Sequence, residues 1–489
     1  VSLPPSPVIY EVNAWVWLGE VARRLGSPVT LATVPESEWD SLAAVGADAV
    51  WLMGVWERSP AGRVIARTLP HLRAAYGRAL PGYGDDDVVG SPYSVRRYEA
   101  DDRFGGDAGL RAARTALDAR GLGLILDFVP NHVACDHPWV SLHPEYFVRG
   151  PEGGPERLPG ELLATPGGVI AHGRDPHFPP WTDTLQLDAF HPGLRAAAAD
   201  TLCHVADRCD GVRCDMAMLP LNAVFERTWG ALAGRAPRAE YWTDVISEVR
   251  SRHPAFTLVA EAYWDLEWNL HQLGFDLCYD KRLYDRLASG DAAGVQLHLQ
   301  AELAYQRRLV RFVENHDEPR AAAALPGARG RAAAVVAATV PGAVLLHHGQ
   351  LEGARVQLPV QLGRRADEPV DGEARAFYRT LLTEVSDLTY REGEWQLLER
   401  AGWPDNPSFA NLVTWSWRLV DERRLVVVNL SGAPAQGRVR LGWPDLSGSR
   451  WLLTDVFSGD CFPREGDELL GSGLYVDLPP WGFHVLRFG

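Results

Sequence analysis

Four short segments hold most of the residues in this chain that could do chemistry. They read LDFVPNH (126–132), GVRCDMAM (211–218), VAEAYW (259–264) and FVENHDEPR (312–320). In each, an apolar run is followed at once by carboxylate, His or Arg. Runs rich in Val, Leu and Ile suit buried parallel strands. Polar residues at the C-terminal ends of such strands are where an eight-stranded parallel barrel keeps its chemistry. On that placement Asp215, Glu261 and Asp317 share one pocket with Arg213, His132 and His316. Paired carboxylates are what cleavage of a glycosidic bond requires.

The elements that must position these residues follow from the same pattern. Strand-like runs occupy 7–15, 48–56, 121–129, 211–218, 257–264, 275–280, 310–316 and 343–350. Helical patterns at 107–121, 192–208, 328–340 and 371–387 alternate with them. Such alternation signals a parallel sheet, and eight units can close a barrel. Asp107 is expected to cap its helix, with Gly121 just beyond the end. Residues 133–188 show little periodicity and much Gly and Pro, and read as an irregular insertion after strand three. A second excursion, 57–92, follows strand two. From 395 to 489, short alternating runs read as a small antiparallel sandwich packed directly against the barrel. The expected fold class is therefore α/β, a (β/α)8 TIM barrel with an insertion after strand three and a C-terminal antiparallel β-sandwich. The boundaries are 1–132 and 189–390 for the barrel, 133–188 for the insertion and 391–489 for the sandwich.

Composition narrows the function. The 489 residues exceed one compact core. A net charge of −15 argues against nucleic acid and anionic membranes as partners, while a neutral sugar would not be repelled. No apolar run reaches the roughly 20 residues of a membrane span. The segment VSLPPSPVIYEVNAW has no export-signal pattern, so the expected location is cytoplasmic. Cys135, Cys203, Cys209, Cys214, Cys278 and Cys461 form no CxxC pair, which favours free thiols and excludes the spacings of a zinc site. Most of the tryptophans read as packing.

The ordered motifs resemble the α-amylase family of glycoside hydrolases, over nearly the whole chain. DFVPNH is similar to its segment after strand three, GVRCD to that after strand four, AEAYW to the Glu after strand five and ENHD to the segment after strand seven. GSPYSVRRYEADDRFGG (90–106) resembles its Tyr-bearing segment, and WTDTLQLDAFHPGLR (181–195) the close of the insertion. The resemblance implies a retaining enzyme acting on α-glucosidic bonds of malto-oligosaccharides or small α-glucosides through a covalent glycosyl-enzyme. Asp215 would be the nucleophile, Glu261 the acid and base, and Asp317 the group that stabilises the distorted transition state. Arg213 would keep Asp215 ionised, His132 and His316 would bond sugar hydroxyls, Tyr93 would stack under the reacting ring, and Asp127 would brace Arg213. Beside apolar and aromatic neighbours, Glu261 is expected to be the more easily protonated of the pair. The resemblance implies no cofactor for the chemistry. Asn131 is a calcium ligand in many relatives, but the insertion has no Asp cluster, and structural calcium stays open.

Two departures stand out. Typical α-amylases follow the nucleophile strand with a Lys-His pair, where this chain has Met218 and Leu219. The polar grip on the leaving-side sugar is thus missing or replaced, and an apolar wall is expected there. A transglycosylase or phosphorylase using the same intermediate is the alternative, and a non-catalytic carbohydrate-binding protein a third reading. His347 and His348 before Gly349 also depart from the common eighth strand, with no role evident from the residues.

Overall fold

Each of the eight apolar runs forms a strand. They are β1 (Val8–Asn13), β2 (Ala49–Met53), β3 (Gly123–Phe128), β4 (Gly211–Cys214), β5 (Thr257–Ala260), β6 (Leu277–Tyr279), β7 (Leu309–Arg311) and β8 (Ala343–His347). The parallel strands close into a barrel in ring order β1-β8-β7-β6-β5-β4-β3-β2. The computed structural model describes residues 2–151, 153–157 and 160–489. Within the Gly- and Pro-rich stretch 149–168, Glu152, Leu158 and Pro159 lie outside the described residues. Contacts divide the chain into two units, one mainly Ile9–Tyr279 with Gln357–Asp367, the other mainly Asp280–Val356 with Glu368–Gly489.

In the first unit, register decides which residues share a face. Asp127 lies beside Arg213, Arg213 beside Val259, and Val259 beside Leu277. Side chains alternate along a strand, so residues two apart point the same way. Asp127, Arg213 and Asp215, Glu261 and Tyr279 therefore share one face. The strands stop sooner than the runs suggest. β4 ends at Cys214: Asp215 N–H still bonds Phe128 O at 2.8 Å, and the chain then turns at Met216, whose φ is +42°.

The opposite ends of these strands are pinned by Asp210. Its backbone bonds Leu124 O and Thr257 N, and its carboxylate accepts from Leu124 N–H at 2.8 Å and from Arg114 at 2.9 Å. One side chain thus sets the stagger of β3, β4 and β5.

Several expectations are corrected. Asp107 does not cap the helix Gly106–Asp118; Gly105 does, at φ +88°. Asp107 lies in the first turn and pairs with Arg208 at 2.8 Å. For the excursion after β2 the sequence sets no elements, and the structure shows two helices there, Pro60–Thr68 and Pro70–Ala79. Both helices begin with Pro, a residue suited to the first helical position, and Ser59 Oγ accepts from Gly62 N–H to cap the first. The insertion after β3 is not irregular throughout. It pairs His132–Ala134 with Thr184–Gln186 and Leu162–Thr165 with Gly168–Ala171. Val133, Val140, Phe147, Ile170 and Leu185 give it a core of its own.

In the second unit, a six-stranded antiparallel sheet runs in the order Glu394–Leu397, Leu412–Leu419, Glu422–Asn429, Phe483–Phe488, Arg450–Asp455, Cys461–Glu465. A three-stranded sheet (Arg400–Ala401, Ala435–Val439, Leu474–Leu478) shares its core through Leu412, Leu425, Val427, Val439, Val476 and Leu486. Trp415 and Trp417 both donate to Thr339 O, at 3.0 and 2.7 Å, and so fasten the sheet to the helix Ala328–Thr339 without a linker. All six cysteines are free thiols. No helix among the described residues is long and apolar enough to cross a membrane.

Asp210→Ala leaves the buried Leu124 N–H without this acceptor. It is expected to cost about 1–3 kcal/mol in urea unfolding, with Asp210→Asn losing less. Equal stability of all three proteins contradicts the pinning role.

Candidate active site

Arg213 stands at the centre of the first unit's polar cluster. It is 1% exposed. Its Nη1 donates to Asp215 Oδ1 at 2.6 Å and lies 4.0 Å from Asp127 Oδ1. Its Nη2 is 2.7 Å from Glu261 Oε2, an ion pair whose N–H lies off the hydrogen-bond line. The guanidinium also faces Tyr93, Trp51 and Tyr279, at 5.2, 5.3 and 5.8 Å from the ring centroids. Burial opposes its charge, but Glu261 and its other neighbours outweigh burial and hold the pKa well above the ordinary guanidinium value. One planar fork thus spans two carboxylates, which a lysine cannot do.

Glu261 is not surrounded by apolar groups alone, as its sequence neighbours suggest. Its Oε2 accepts from Met216 N–H at 2.6 Å, and its Oε1 from the Tyr263 hydroxyl at 2.9 Å. The backbones around the pair are stitched together. Glu261 N–H donates to Cys214 O, and Ala217 N–H to Glu261 O, both at 3.0 Å. Positive φ values occur at Met216 (42°), Trp264 (63°) and Asp265 (62°), beside both carboxylates. Strained residues of this kind persist where the surroundings over-determine them.

Asp127 is engaged mainly with the scaffold. It accepts from Trp51 Nε1 at 3.2 Å and from Gly54 N–H at 2.9 Å, while Arg213 is its more distant partner. Gly54 has φ +79°, and a Cβ there would lie 2.7 Å from Pro92 Cβ, so only glycine fits. Trp51, Tyr263 and Tyr279 were not among the candidate residues of the sequence. Strand parity is the signal that marks them, since Tyr263 follows Glu261 by two and Trp51 and Tyr279 share the inward alternation.

His132 packs its ring 5.0 Å from Trp181, and Tyr93 lies beside it through its backbone. Asn131 and Gln186 exchange amide bonds, with Gln186 Nε2 donating to Asn131 Oδ1 at 2.9 Å and Asn131 Nδ2 to Gln186 Oε1 at 3.2 Å. Among the described residues no group of three His, Cys, Asp or Glu stands ready for a metal ion. Met218 and Leu219 are fully buried, so they belong to the core and form no exposed apolar wall.

In the second unit, His316 Nε2 lies 3.0 Å from Asp317 Oδ2 on the segment after β7. His316 is buried, whereas the Asp317 side chain is 48% exposed. Asn315 Oδ1 accepts from Asp317 N–H and Glu318 N–H, both at 2.9 Å, a local turn that shapes the segment. Lys281, the one lysine of the chain, is neither simply solvated nor alone; its Nζ lies 3.2 Å from Glu318 Oε1 and also pairs with Asp285.

A parallel barrel with carboxylates and an arginine at its strand ends defines a class of protein that includes many glycoside hydrolases. No family profile matches the chain. It is 27% identical over 392 residues to the α-amylase MalA of Haloarcula japonica, covering 78% of this chain and 48% of MalA. The chain thus spans about half the length of that curated relative. Among solved structures it superposes on the noncanonic maltogenic α-amylase AmyB from Thermotoga neapolitana with a TM-score of 0.70, at 19% identity and 98% coverage of both chains. The cyclic α-maltosyl-(1→6)-maltose hydrolase from Arthrobacter globiformis follows at 0.66, 16% identity and 99% of both. In sequence and in fold the chain is similar to the α-amylase family of glycoside hydrolases.

Burial pushes the His132 imidazole down to about 4, and burial with Arg97 and Arg96 pushes His137 to about 3. Both values lie below the 6.5 of an unperturbed imidazole, so the unfolded chain binds more protons between those limits. Stability is therefore full above about pH 6.5 and falls as the pH drops towards 4. His132→Gln should make the melting temperature less sensitive to pH across that window. An unchanged slope contradicts the neutral, buried state of His132.

Proposed function

We propose that the chain is a retaining α-glycosidase acting on α-glucosidic bonds of malto-oligosaccharides or small α-glucosides. The observation that carries this reading is the single buried guanidinium shared by Asp215 and Glu261. Two carboxyl groups gathered on one cation are close enough to act on one bond, and their differing partners assign the work. Asp215 takes the shorter, well-aligned bond from Arg213, which keeps it ionised for attack on the anomeric carbon. Attack forms a glycosyl ester and breaks the glycosidic bond. Glu261 gives its proton to the departing oxygen, then takes one from the incoming water, whose oxygen displaces Asp215. Tyr263 and the Met216 N–H orient Glu261 through both steps.

The motif order supports the remaining roles. Asp317 holds ring hydroxyls and favours the distorted transition state, with His316 beside it. His132 bonds a hydroxyl, and Tyr93 offers its ring to the sugar. The names of the similar proteins favour α-glucans as the substrate class. Those names range from maltogenic α-amylase to debranching enzyme, so bond type and chain length are left to experiment.

Incubation with 5-fluoro-α-glucosyl fluoride, a slow-turnover probe, should leave a glycosyl adduct on the peptide bearing Asp215. Glu261→Gln should lower turnover of maltoheptaose by about 10²–10⁴-fold. An adduct elsewhere, or wild-type turnover by Asp215→Asn, sinks the assignment. Products from maltoheptaose with and without added maltose or phosphate separate the acceptors. Shortened chains alone mark a hydrolase, and lengthened chains or sugar phosphates mark a transferase or phosphorylase.

A further inference from the structure

The segment after β7 is tied down at both ends. Glu314 is 1% exposed, and its Oε1 accepts from Arg320 Nη1 at 2.6 Å. Its Oε2 accepts from Ala321 N–H at 2.7 Å. Arg320, also buried, places the same Nη1 2.8 Å from His347 Nδ1 and donates from Nη2 to His348 O at 3.0 Å. The same His347 Nδ1 lies 3.3 Å from Glu314 Oε1, so the imidazole meets both members of the buried ion pair. The two ends of the segment Glu314–Arg320 are thus cross-linked to each other and to the end of β8. Between them Asn315 closes a turn and Glu318 meets Lys281. Glu314, Asn315, Glu318 and Arg320 are each engaged by neighbouring groups of the scaffold.

We propose that Glu314, Arg320 and His347 form a clamp that positions Asp317 for the reaction. A buried ion pair is a costly way to gain stability, because desolvation offsets most of its attraction. What it does provide is one defined geometry. The clamp explains why a histidine ends β8: its Nδ1 reaches both the guanidinium of Arg320 and the carboxylate of Glu314. Reacting groups held in place convert binding into rate, and a misplacement of about 1 Å can cost about 10²-fold. Glu314, Arg320 and His347 are positioning residues that act through Asp317. The clamp rests on the proposed role of Asp317 in the reaction.

The test is kinetic. Arg320→Lys and His347→Leu are each made in the wild-type and Asp317→Asn backgrounds, with thermal unfolding as a check of folding. On maltoheptaose, each variant alone should lower kcat about 10- to 100-fold with KM within about twofold. His347→Asn, whose side-chain amide can accept from Arg320 and donate to Glu314, should restore most of the rate. In the Asp317→Asn background the same substitutions should cost less than about twofold, because the residue they position has already lost its function. Should Arg320→Lys fail to fold, the His347 variants decide. Folded His347→Leu protein with wild-type kcat, or equal losses in both backgrounds, overturns the clamp. Wild-type turnover by Asp317→Asn alone removes the reading beneath it, a separate and recognisable result.

Discussion

A guanidinium held out of water is the constraint around which the first unit is arranged. Removing such an ion from solvent costs several kcal/mol unless charge and hydrogen bonds replace its hydration. Arg213 meets that requirement with Asp215 and Glu261 at contact distance, Asp127 farther off, and three aromatic faces. These partners come from several different strands and loops. They converge because β3, β4, β5 and β6 run parallel in a register that puts Asp127, Arg213, Val259 and Leu277 side by side. The barrel is therefore the device that makes the buried charge tolerable, and the charge is what gathers the carboxylates.

The same cluster explains the strain. A strand that simply continued past Cys214 would carry Met216 away from Glu261. Instead the chain turns at once, Met216 adopts a positive φ, and its N–H points at the carboxylate. Glu261 in turn bonds back to β4 through its own backbone. Trp264 and Asp265 complete a second sharp turn beyond it. Loop geometry that would be costly alone is stabilised by the buried ion and its donors. If the proposed reaction runs at this cluster, its preorganised polar groups need little rearrangement, which is where electrostatic catalysis gains most.

Much of this was legible in the residues. The eight strands announce themselves as apolar runs, and Arg213 and Asp215, two apart, must share a face. What was hidden depends on register between strands. The environment of Glu261 reads as apolar along the chain, yet Arg213 reaches it from the neighbouring strand. Trp51 and Tyr279 look like core aromatics, and only their alignment with Arg213 reveals their place. Met218 and Leu219 read as a binding wall, but tertiary packing buries them. The helices after β2 begin at Pro60 and Pro70, and their short, one-sided apolar spacing sets them apart little from the surrounding loop. The insertion's core draws on residues as far apart as Val133 and Leu194, beyond the reach of any periodicity.

Arg213→Lys is the most direct test of the shared cation. Lysine keeps the positive charge but offers one ammonium in place of a fork, so it cannot hold Asp215 and Glu261 together. Turnover of maltoheptaose should fall by more than about 100-fold while the protein still unfolds in one cooperative transition. A folded Arg213→Lys protein that keeps close to wild-type kcat would show that the two carboxylates do not depend on one guanidinium, and Arg213 would lose its central place in the site.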